Sequence, residues 1–116
     1  TDMPEYILLL HEDPSRYAAM SPAEMQAILE KYKAWSETTG ATGQLLGGHK
    51  LADSGRQLSM RGGAIAVTDG PYAETKEVIG GFFHIRAESY EEAVEISRTC
   101  PHVANGVVEV REIDVV

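Results

Sequence analysis

The sequence predicts an α+β fold, an antiparallel sheet carrying two helices on one face. Three observations lead there. Two segments open with helix-capping patterns, Ser21-Pro22-Ala23-Glu24 and Ser89-Tyr90-Glu91-Glu92. Each is flanked by runs with strand character, and two further short runs around a Gly-Gly pair read as a hairpin between the halves. The order is therefore strand, helix, strand, inserted hairpin, strand, helix, strand.

Each element follows from its residues. Tyr6-Ile7-Leu8-Leu9-Leu10 is a continuous apolar run, as in a central strand covered on both faces, and His11-Glu12-Asp13-Pro14 ends it. Ser21 caps the first helix, Pro22 suits its first position and Glu24 completes a capping box. Met25, Ile28, Leu29, Tyr32 and Trp35 follow at helical spacing, and Gly40 is the expected C-terminal cap. Thr42 to Leu51 reads as a strand of weaker signal. Gln57–Met60 and Ala64–Thr68 flank the turn Arg61-Gly62-Gly63. A polar loop from Asp69 to Ile79 precedes the strand Gly81–Ala87. The second helix carries Ala93, Ile96 and Cys100 on its apolar stripe, with Glu91, Glu92 and Glu95 near the positive end of its dipole. Val107–Ile113 is the final strand. Residues 1–116 read as one domain, and Met3 is the expected natural start behind Thr1 and Asp2.

This order is a split β-α-β, ferredoxin-like arrangement, which leaves one sheet face without helices. Period-two alternation assigns Phe83, Ile85, Val108 and Val110 to the helix-covered face. It assigns Phe82, His84, Arg86, Glu109 and Arg111 to the open face. A face that mixes aromatic and charged groups suits a second copy of the chain, with a polar cavity between the two.

Composition narrows the function. The chain has 116 residues and a formal net charge of −8, which argues against nucleic acid, whose phosphates need a basic patch. The longest apolar run falls far short of the roughly 20 residues that span a bilayer, and the start has no secretory-signal pattern. One cysteine, Cys100, cannot form an internal disulfide, so a cytoplasmic location is expected. There is no phosphate-cradling glycine loop, dinucleotide fingerprint, nucleophile elbow or paired-histidine metal motif, so neither cofactor nor metal is expected.

The densest chemistry lies in Asp69-Gly70-Pro71-Tyr72-Ala73-Glu74-Thr75-Lys76-Glu77, followed by Gly80-Gly81-Phe82-Phe83. This stretch resembles the signature of the YCII-related proteins of the DGPF type, with Tyr72 where that family usually shows Phe. Cys100-Pro101-His102, the run Gly106 to Arg111, and the opening Tyr6 to His11 resemble the same family, so the likeness covers about Met3 to Ile113. The resemblance implies a dimeric α+β barrel, two protomers with their sheets face to face. It belongs to a wider superfamily of muconolactone-isomerase-like enzymes, monooxygenases and ligand-binding regulators. Some family members are associated with extracytoplasmic-function sigma factors.

Candidate site residues follow from their chemistry. Asp69 is a candidate general base, its alternative being a turn-former before Gly-Pro. His84, on the open face, is a candidate proton carrier if a carboxylate such as Glu109 or Asp69 fixes its tautomer. The alternative is an idle interface histidine. His102 resembles a family position and is the third catalytic candidate. His11, Tyr72, Glu74, Lys76, Arg86, Glu109 and Arg111 are candidate contacts to a small polar or anionic ligand, the arginines through their fork geometry. Two functions emerge. One is a cofactor-independent acid–base enzyme, an isomerase, lyase or hydrolase acting in a homodimer. The other is a non-catalytic ligand-sensing or regulatory module that engages a protein partner.

Overall fold

The computed structural model describes residues 3–69 and 77–116. The elements in chain order are β1 (Glu5–Glu12), a single turn α1 (Ser15–Ala18), α2 (Pro22–Ala41), β2 (Leu45–Lys50), β3 (Arg56–Arg61), β4 (Ala64–Asp69), β5 (Val78–Arg86), α3 (Tyr90–Arg98), a 3₁₀ turn (Pro101–Ala104) and β6 (Val107–Glu112). β2, β5, β1 and β6 form one antiparallel sheet in that spatial order, the ferredoxin-like arrangement, while β3 and β4 form a second, two-stranded sheet.

Local chemistry explains the element ends. The Ser21 hydroxyl accepts from the Glu24 amide while the Glu24 carboxylate accepts from the Ser21 amide, so two otherwise unpaired donors of α2 are satisfied. Ser89 caps α3 through the Glu92 amide. The far end of α2 departs from expectation. Gly40 lies inside the helix, and the glycine in left-handed conformation that stops it is Gly43, at φ 78°. Gly62 and Gly63, at φ 58° and 81°, make the β3–β4 turn.

The core sits between the four-stranded sheet and the helices. Tyr6, Leu8 and Leu10 of β1 meet Ile85 of β5, Trp35 of α2, Ala93 of α3 and the buried Cys100. Phe83, Val108 and Val110 pack against this cluster, on the face that strand alternation predicts. α2 contributes unevenly. Of its five-residue apolar stripe only Trp35 is buried, joined by Thr39, whereas Met25, Ile28, Leu29 and Tyr32 stay partly or wholly exposed. Its C-terminal half packs down and its N-terminal half leaves space beneath.

The β3–β4 ribbon contrasts with the sheet. Its register sets Leu58 opposite Val67 and Met60 opposite Ile65, and all four are 60–67% exposed. Among the described residues no helix is long and apolar enough to cross a membrane.

Candidate functional site

The face of the sheet away from the helices is built by parity. Tyr6, Leu8 and Leu10 point into the core, so Glu5, Ile7, Leu9 and His11 of β1 point the other way. Pairing sets Ile7 beside His84 of β5 and Arg111 of β6, and Leu9 beside Phe82 and Glu109. An apolar strip of Ile7, Leu9 and Phe82 thus lies between polar groups.

Those polar groups form two histidine–carboxylate pairs. His84 Nε2 donates to Glu5 Oε1 at 2.6 Å, and His11 Nε2 donates to Glu109 Oε1 at 2.8 Å. Each carboxylate fixes the Nε2–H tautomer and leaves Nδ1 as the basic atom. The sequence put Glu109 or Asp69 forward as the partner of His84, provided the strands adjoin. β1 lies between β5 and β6, which separates them by two strand spacings, roughly 10 Å. Glu109 therefore serves His11, and Glu5, which the sequence analysis did not single out, serves His84. Period-two counting along β1 carried that signal, because Glu5 shares the parity of His11.

The other candidates fall in several places. Arg111 lies 3.9 Å from Glu109 through Nε and is largely exposed. Arg86 donates from Nε to the Gly43 carbonyl at 2.9 Å and so ties β5 to the end of α2. Asp69 ends β4 on the ribbon, where it pairs with Arg56 Nε at 3.0 Å. Tyr72, Glu74 and Lys76 lie outside the described residues. Glu77, just past them, lines an open cleft of about 600 Å³ with His11, Ile79 and the segment 51–55. Cys100 is buried, and burial pushes its thiol pKa up, away from the reactive thiolate.

His102 belongs to the opposite side of the sheet and is 1% exposed. Its Nε2 donates to the backbone carbonyl of His11 at 2.8 Å, and its Nδ1 accepts from the Tyr32 hydroxyl at 2.7 Å. Both nitrogens are engaged, and Asn105 Nδ2 donates to the same hydroxyl at 3.3 Å. Gly106 makes the close approach possible, because a Cβ there would collide with the His11 carbonyl and the His102 ring. Burial pushes the Tyr32 pKa up to about 12, opposed by the Asn105 hydrogen bond, so the phenol stays a donor.

Tyr32 also borders a cavity of about 330 Å³ beneath the N-terminal half of α2. Leu10, Met25, Ile28, Leu29 and Phe83 wall it, and Gly48, Gly80 and Gly81 add no side chains of their own on its sheet side. Phe83 in turn packs against Trp35, ring centroids 4.7 Å apart and tilted by 56°, and the Trp35 indole donates to Thr99. The sequence showed the α2 stripe but not the space beneath it. Only the lift of the helix turns the stripe into a wall. Among the described residues no group of three or more His, Cys, Asp or Glu is placed to hold a metal ion.

The YCII-related domain model matches residues 5–115. The chain belongs to the YCII-related family. It is 30% identical over 112 residues to an uncharacterized protein of Rhizobium meliloti (strain 1021), covering 93% of this chain and 90% of that one. The match spans both sheet faces, the ribbon and the Asp-Gly-Pro motif, so membership of this YCII-related chain rests on nearly its whole length.

Proposed function

We propose that this YCII-related protein is a small-molecule-binding, cofactor-independent acid–base enzyme of the isomerase, lyase or hydrolase kind. It works as a homodimer with the open sheet faces opposed around a small polar or anionic substrate. The observation that supports this is the pair of histidine–carboxylate couples flanking Ile7, Leu9 and Phe82. In each couple Nδ1 takes a proton from the substrate, and the carboxylate on Nε2–H stabilises the imidazolium that forms. Arg111 holds an anionic group of the substrate.

Deuterium exchange tests the reading without knowledge of the substrate. The protein is incubated in D₂O with small lactones, keto acids and unsaturated carboxylates, and exchange at carbon beside the carbonyl is followed by NMR. Exchange that falls about 100-fold in His84→Gln or His11→Gln supports the enzyme. Exchange no faster than in buffer across the panel overturns it.

The ribbon favours a second reading. Its four exposed apolar side chains suit a protein partner, as a ligand-sensing or regulatory module would require. Under that reading His84→Gln leaves function intact, and Leu58→Asp abolishes partner binding.

A further inference from the structure

The cavity under α2 lies on the other side of the sheet from the histidine–carboxylate couples and has its own chemistry. At about 330 Å³ it falls at the lower end of small-molecule pockets, which take roughly 300–1,000 Å³. Its walls are aromatic and aliphatic, and Gly48 and Gly81 leave room beside them for a ring. Bulk is excluded from that glycine floor by close packing. A Cβ on Gly81 would stand 2.8 Å from the His49 carbonyl oxygen, and one on Gly48 would stand 2.6 Å from the Phe82 carbonyl oxygen.

Charge is divided between the two ends. Lys50 at the end of β2 and Lys33 of α2 border the cavity, and neither makes an ion pair among the described residues, the Lys50 ammonium reaching only the Leu51 carbonyl at 3.5 Å. Among the described residues that line the cavity, Asp53 is the one acid beside the two lysines. On the β1 side, the Glu12 carboxylate rests against Gly80, where any Cβ would collide with it. Glu12 has no hydrogen bond among the described residues, and its charge helps raise the Tyr17 and Tyr32 pKa values, though burial is the larger cause for both. β5 separates these two ends, so their strands stand roughly 10 Å apart. A ligand that satisfies both needs an anionic group at one end, a hydrogen-bond donor at the other and an apolar ring between.

We propose that this cavity binds a small aromatic carboxylate carrying a hydroxyl or amino donor at the far end of its ring. The carboxylate meets Lys33 and Lys50, the ring lies between the α2 stripe and the glycine floor, and the donor meets Glu12. Its lining includes none of the four residues of the histidine–carboxylate couples.

Calorimetry with 4-hydroxybenzoate tests it, alongside methyl NMR of Met25 and Leu29. One saturable site is expected, with shifts at both methyl groups. Benzoate lacks the donor and 4-hydroxybenzyl alcohol lacks the charge, so each binds more weakly, by about fivefold or more. Replacing both lysines, Lys33→Gln with Lys50→Gln, weakens 4-hydroxybenzoate about tenfold. Both lysines are exposed, so this variant folds. Leu29 is 41% exposed, and Leu29→Trp fills the cavity and abolishes binding. The proposal is overturned by the absence of heat and methyl shifts at millimolar 4-hydroxybenzoate, by unchanged affinity in Leu29→Trp, or by an alcohol that binds as tightly as the acid.

Discussion

The two faces of one sheet use histidine in opposite ways. On the face without helices, His84 and His11 each have one nitrogen held by a carboxylate and, among the described residues, no side-chain partner on the other. On the helix side, His102 is buried with both nitrogens occupied. The residue type is the same, and the count of engaged nitrogens separates a ring that can exchange a proton from a ring that braces its surroundings.

Adjacent residues on β1 break or sharpen this contrast most strongly. Leu8 is 0% exposed in the core, so Leu8→Ala should cost about 2–5 kcal/mol, the same at every protein concentration. Leu9 lies on the open face beside Phe82 and Glu109. If that face is the dimer interface, Leu9→Ala lowers the melting temperature more at low protein concentration than at high. Denaturant and thermal unfolding of both variants over a concentration series check this. Concentration-independent loss in Leu9→Ala would remove the open face from any assembly.

A smaller effect is expected at the brace. Tyr32→Phe leaves His102 Nδ1 without its donor and should cost about 1–3 kcal/mol. It should also alter the alkaline limb. Below pH 10 the folded and unfolded phenols both hold their proton. From the ordinary value of 10.0 up to about 12 the unfolded chain releases it while the native state keeps it. Stability therefore falls with rising pH across that window, and Tyr32→Phe removes this share of the fall. Stability curves at pH 9 to 12 that coincide in shape for both proteins would refute it.

The smallest effect on stability belongs to the pairs proposed as functional. His84 and Glu5 are each about a third to a half exposed, so His84→Gln should change stability by less than about 1 kcal/mol. A larger loss would mean that the pair holds the fold together.

Much of this was legible in the chain. Cap residues at Ser21 and Ser89, the Gly62-Gly63 turn and strand parity gave the order of elements and the core face. What the sequence withheld depends on spatial order. Parity says that Glu109 and His84 share a face, but only the insertion of β1 between β5 and β6 sends Glu109 to His11. Asp69 stood out as a candidate base before Gly-Pro, and only its register shows that it faces Arg56 across the ribbon. The stop of α2 was misplaced because Gly40 and Gly43 both suit a cap, and only the backbone at Gly43 turns left-handed. The cavity could not be read at all, since an apolar stripe looks alike over a filled core or an empty one.

One hydrogen bond remains to be followed to its end. His102 holds the backbone of His11 with one nitrogen and the Tyr32 hydroxyl with the other, so a residue of the turn after α3 touches the foundations of both faces. The two pockets share no catalytic side chain, yet they are not separate modules that can be altered one at a time. Any engineered or inherited change in the Pro101–Gly106 corner would reach both surfaces together, as a keystone shared by two arches.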